Sequence, residues 1–65
     1  MISNIKEFCR DKIKEMTGIG DNEIIELLVT RIVEIEYSIG GGGNNEHTIC
    51  EVTKQVIKMY YDGLI

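Results

Sequence analysis

The sequence predicts an all-α domain: a helical hairpin of two long helices with a short N-terminal helix, assembled as an oligomer. Three observations carry that prediction. Apolar residues recur at three- and four-residue spacing along three stretches, and glycines part those stretches at Gly18 and Gly20 and again at Gly40–Gly43. The last apolar stripe is also wider than the chain's own helices can cover.

The first helix opens at Asn4, a residue whose side chain can cap exposed amides, with Glu7 three residues on to reach back as a capping box. Ile5, Phe8, Cys9, Ile13 and Met16 then line one side. Thr17-Gly18-Ile19-Gly20 ends it, because Gly18 can take the left-handed conformation that closes a helix. Asp21 caps the second helix and Glu23 favours its N-terminal dipole. Ile24, Ile25, Leu28, Val29, Ile32, Ile35 and Ile39 fall within an arc of roughly 140° at helical spacing, while Leu27, Val33 and Tyr37 lie outside it. Val33-Glu34-Ile35-Glu36-Tyr37 alternates as a strand would, but it sits inside a longer helical pattern, so helix is the reading.

Gly40-Gly41-Gly42-Gly43-Asn44-Asn45 is a loop, since each glycine inside a helix costs about 1 kcal/mol relative to alanine. Asn44 or Asn45 caps the third helix, which runs to about Asp62 and ends at Gly63. On this helix Met59, Val52, Val56, Ile49, Tyr60, Leu64, Ile57, Cys50 and Tyr61 fill an arc of roughly 200°. One neighbouring helix covers little more than about 100°. The remainder marks an interface between copies, and Leu27, Ile57, Tyr61 and Leu64 are its expected residues.

Composition narrows the functional classes. Sixty-five residues make one domain near the lower size limit for unaided folding, where small proteins turn to disulfides, a metal or oligomerisation. Cys9 and Cys50 both fall on apolar stripes, where a thiol acts as a small hydrophobe. No secretory h-region is evident, so a reducing, cytoplasmic setting is expected. No apolar run reaches the length of a membrane span. The net charge of -4 argues against nucleic acid, whose binders carry a basic patch. Residues 1–16 hold four basic and three acidic groups, whereas residues 21–36 hold five acidic groups and Arg31 as the one base. An acidic middle suits a basic protein surface. The chain lacks Pro, Trp and Ala and is rich in Ile, Glu, Lys and Asn, a bias that points to an AT-rich bacterial or phage genome.

Candidate sites divide between packing and binding. The glycine run could cradle an anion at the N-terminus of the third helix, with Gly41, Gly42, Asn44 and Asn45 as contacts. It lacks the Lys and Ser/Thr of a P-loop, and Glu46 puts a negative charge where a phosphate would sit, so a connector is the simpler reading. Lys12 lies within the first helix's apolar arc between Phe8 and Met16. Its stem either covers apolar surface while the ammonium reaches water or an acid of the second helix, or it faces an anion. Tyr61 is divided between core and contact surface. His47 and Cys50 are three apart beside Glu46, yet structural zinc needs four ligands, so neither a metal nor a cofactor is expected. Cys50 on an apolar stripe makes a poor nucleophile, and Glu34 and Glu36, two apart, do not face each other on a helix. The sequence therefore predicts no enzyme. It predicts a small acidic protein that binds and regulates or inhibits another protein. The alternative is an oligomeric, sponge-like protein that sequesters a small anionic ligand such as a nucleotide signal, through the glycine loop, Lys12 and Tyr61.

Overall fold

The computed structural model describes residues 4–38 and 46–65, and all regular structure among them is helical. Three helices follow in order: α1, Ile5–Thr17; α2, Asn22–Ser38; and α3, Glu46–Tyr61. Each packs on the other two. Ile39 and the loop residues Gly41, Gly42, Asn44 and Asn45 lie outside the described residues.

Local chemistry sets the ends of the helices. Asn4 accepts the Glu7 amide at 3.1 Å, supplying one of the bonds that a first turn cannot make for itself. At the other end of α1, Gly18 has φ of 73° and its N–H reaches the Lys14 carbonyl at 2.8 Å. An L side chain is disfavoured in that left-handed geometry. Thr17 holds the exit: its hydroxyl donates to the Ile13 carbonyl at 2.6 Å and accepts from the Ile19 N–H at 3.1 Å. Asp21 then caps α2 through the amides of Glu23, 2.9 Å, and Ile24, 3.4 Å. The C-terminus of α3 closes on Gly63, φ 77°, with Gly63 N–H to Tyr60 O at 3.1 Å and Leu64 N–H to Met59 O at 2.9 Å. These paired bonds form a Schellman motif.

The core comprises Cys9 and Ile13 of α1, Ile25, Leu28, Val29 and Ile32 of α2, and Ile49, Val52 and Val56 of α3. α2 contributes four of these nine, and its residues 25, 28, 29 and 32 lie on one helical stripe. Ile24 and Ile35 flank it half-buried, and of the three residues expected outside the arc Leu27 and Tyr37 are exposed, whereas Val33 is half-buried against the core. Val33-Glu34-Ile35-Glu36-Tyr37 is helical throughout. Within α3 the buried strip is Ile49, Val52, Thr53 and Val56, whereas Cys50, Ile57, Met59 and Tyr60 are half-buried. Arg10 ties α1 to α2 from outside the core, with Nε and Nη2 donating to the two Glu26 carboxylate oxygens at 2.5 and 3.0 Å. Its Nη1 also donates to Glu7 at 2.7 Å.

Because Asp21 supplies the bonds of an otherwise bare first turn, Asp21→Ala should lower stability by about 1 kcal/mol, and Asp21→Asn should lower it far less. Equal losses in thermal melts of the two variants would show that the cap bonds are not the cause.

Candidate functional site

Two places on the molecule stand apart from ordinary core and solvated surface. The first is a groove of about 470 Å³ lined by Met16 of α1 and by Lys54, Ile57, Lys58, Tyr61 and Asp62 of α3 and its exit. α1 and α3 meet here. Ile57 and Tyr61 are four apart and share a side of α3, and Lys54 and Lys58 repeat that spacing one bank over. The result is an apolar floor with two ammonium groups and the Asp62 carboxylate along the α3 wall. Tyr61 is 62% exposed and Met16 is exposed as well. Lys54 Nζ stands 3.8 Å from Glu51, a solvated pair that leaves the ammonium available.

The second place is inside. Glu36 is 3% exposed, and neither of its carboxylate oxygens has a hydrogen-bond partner among the described residues. It continues the buried stripe of α2 one turn beyond Ile32, so the helix carries a carboxyl into the position where an isoleucine would pack. Its charge reaches the Cys9 thiol of α1, which Thr53 and Cys50 of α3 also influence. Burial pushes the Cys9 thiol up to about 11; the Thr53 hydroxyl opposes that rise, while the Glu36 charge and Cys50 add to it. Thr53 itself donates to the Ile49 carbonyl at 2.7 Å. Both cysteines are free thiols, Cys9 buried and Cys50 half-buried.

The residues singled out in the sequence are dispersed. Ile57 and Tyr61 come together in the groove. Leu27, 48% exposed, is on the outer side of α2, opposite its buried stripe, and Leu64 is exposed beyond the end of α3. Neither lines the groove. Lys12 is half-buried, with Nζ 5.5 Å from the centre of the Phe8 ring and 3.7 Å from Glu15. Its stem covers apolar surface as expected, but the acid it meets belongs to its own helix rather than to α2. The cations that accompany Tyr61 in the groove are Lys54 and Lys58. Among the described residues no cluster of three or more His, Cys, Asp or Glu side chains could hold a metal ion, and no helix is long and apolar enough to cross a membrane.

Glu36, Thr53, Lys54 and Lys58 were not singled out by sequence reasoning. The signal for Glu36 was its spacing, since 25, 29, 32 and 36 repeat every three or four residues. Lys54 and Lys58 carry no comparable signal, and only the approach of Met16 from α1 makes them a wall.

The chain matches no family model, no curated protein and no solved structure. The arrangement of these side chains is therefore what bears on function.

Two outcomes test the interior. Removing an unpartnered buried carboxyl relieves a desolvation cost, so Glu36→Met should raise stability by about 1–3 kcal/mol in urea melts. A lower midpoint would show that Glu36 has a stabilising partner. The Cys9 thiol stays protonated in the fold above pH 9, its ordinary value here, while the unfolded chain loses that proton. The unfolded state then binds fewer protons, so stability falls as pH rises from about 9 to about 11. Cys9→Ala should flatten that alkaline slope, and an unchanged slope would assign it to another group.

Proposed function

We propose that this protein is a small interaction protein that assembles with copies of itself and binds another protein, which it regulates or inhibits. On this reading α2 and α3 form a helical hairpin with α1 packed across it, and the oligomer is the working unit. The observation that carries the proposal is the groove of Met16, Ile57 and Tyr61, an apolar floor left open on a molecule measuring 27 × 21 × 17 Å. Exposed apolar patches bounded by charge are the common mark of protein contact surfaces, and Tyr and Met are enriched in them. The acidic excess supports a partner with a basic surface: Glu23 and Glu34 are exposed on α2 and the whole chain is at -4. Binding, rather than bond-making, is the role proposed.

Capture from a lysate of the source cells, with Tyr61→Ser as the paired control, tests the reading. The wild type should retain a specific protein that about 0.5 M salt weakens, because surface electrostatics is screened at that ionic strength. The variant should retain much less of it with its helical content unchanged. Identical retention by both, or retention by neither, would end the proposal.

A further inference from the structure

The groove shows how α1 and α3 are aligned. Met16 of α1 borders it together with Ile57 and Tyr61 of α3. Nearer the start of both helices, the Thr53 side chain is within hydrogen-bond reach of the Cys9 thiol. Contacts thus advance together along the two helices, which run parallel. Cys9 precedes Met16 by seven residues, and Cys50 precedes Ile57 by seven. Seven residues are two turns, which return a side chain to the same face within about 20°. Cys9 and Cys50 therefore repeat, two turns earlier, the pairing of Met16 and Ile57 at the groove. Thr53 supports the same placement. It follows Cys50 by three residues, and residues three apart are neighbours on a helix. Helical side chains lean toward the N-terminus, which tips Thr53 toward the turn that Cys50 occupies. The Cys50 charge is also felt at the Cys9 thiol.

Facing positions on packed helices are close enough for a covalent bond. With axes about 8–10 Å apart and Cα atoms at a radius of about 2.3 Å, facing Cα atoms come within roughly 4–6 Å. A disulfide joins Cα atoms about 4.4–6.8 Å apart. The two thiols, both free, differ in access. Cys50 is half-buried and can meet a small reagent, whereas Cys9 is fully buried. Burial also holds the Cys9 thiol up at about 11, so at neutral pH it stays protonated and waits for a neighbour.

We infer that Cys50 and Cys9 are a redox-sensitive thiol pair: a small-molecule disulfide reacts at Cys50, and Cys9 then closes an intrachain bond joining α3 to α1. In the first step the Cys50 thiolate attacks one sulfur of oxidised glutathione. A mixed disulfide forms on Cys50 and one glutathione leaves as its thiolate. In the second step Cys9 gives its proton to water and its sulfur attacks Cys50 Sγ. The bond to glutathione breaks and the second glutathione leaves. The protein loses two electrons and two thiol protons, and the two glutathiones end as thiols. The new bond ties together two helices otherwise linked only through α2. Oxidation thereby tightens, and reduction loosens, the base that carries Met16, Ile57 and Tyr61. The pair does not depend on what occupies the groove.

Oxidation of the folded, reduced chain by oxidised glutathione, followed by intact mass, tests the pair. The wild type should end as a single chain lighter by two hydrogens and carrying no glutathione. Trypsin, cutting after Lys and Arg, should then release residues 7–10 joined to residues 32–54. Cys9→Ala should stop at one glutathione on Cys50, with circular dichroism confirming its helices. Cys50→Ser should take up no glutathione while folded. The bond should raise the melting midpoint by on the order of 10 °C, because it closes a long loop in the unfolded chain. Dithiothreitol should reverse that rise. A wild type that retains glutathione, or that joins two chains through Cys50, overturns the inference. A bond that forms only in denaturant, or that lowers the melting midpoint, overturns it too, because native packing then does not hold the thiols together. Glutathione uptake by folded Cys50→Ser at the wild-type rate also overturns it, since Cys9 would be reached without Cys50.

Discussion

The fold depends on the apolar stripe of α2 being covered from two sides at once. Ile25, Leu28, Val29 and Ile32 are each at most 2% exposed, and neither α1 nor α3 alone is broad enough to enclose them. Fully burying one such side chain is worth about 1.5–3 kcal/mol. A chain of 65 residues, with both its thiols free, has little else to set against the entropy of ordering. The devices at either end of the connection between α1 and α2 serve this one requirement. Gly18 ends α1 in a left-handed turn, Thr17 secures the exit, and Asp21 restarts the helix four residues after α1 stops. The chain therefore reverses over a short connection, and α1 lies against the stripe it precedes.

That economy makes the polar cluster at the end of the stripe informative. Thr53 has one hydroxyl proton, and it is committed to the Ile49 carbonyl. It cannot donate that proton to Cys9 or Glu36 without giving up the bond to its own helix. The S–H of Cys9 is a weak donor, and the pull of burial on that thiol exceeds what Thr53 offers it. Glu36 is therefore buried with less hydrogen bonding from the described residues than a carboxyl normally requires. Core packing alone gives no reason for a carboxyl there, since an isoleucine at the same position would extend the stripe. Cores retain polar groups at the expense of stability where those groups serve specificity or function, and Glu36 has that profile.

The helices were legible in the sequence because each signal was local. Asn4, Gly18, Asp21 and Gly63 act on backbone groups within a few residues, and the three- and four-residue apolar spacing reports a face without reference to what covers it. The burial of Ile25, Leu28, Val29 and Ile32 follows directly. What covers a face is not local, and the reading weakened there. Glu36 shares a stripe with Ile25, Val29 and Ile32, but residue type points a glutamate to water while position points it to the core, and only the packing of the other helices decides. Leu27 shares apolar character with Ile57 and Tyr61 but not their place, and nothing local in the sequence tells that Lys54 and Lys58 border an apolar floor. Helical wheels place residues on one helix but say nothing of which wheel meets which. The approach of Met16 separates these cases, and it depends on how α1 is turned.

The groove follows from the same geometry that makes the fold possible. α1 has 13 residues and α3 has 16, so at about 1.5 Å per residue α1 is shorter by roughly 4–5 Å, close to one turn. α1 must also leave the bundle at Gly18 to reach α2. Met16 is its last apolar contact, and it cannot extend over Tyr61. Lengthening α1 by one turn would cover that floor but would displace Gly18 and Asp21, and with them the connection that seats α1 on α2. The open floor is a consequence of a tight reversal in a short chain. A surface of this origin has a fixed position and a rigid base, since Ile57 follows the fully buried Val56. Partner contacts gain most from a base of that kind, because little ordering remains to be done when the contact forms.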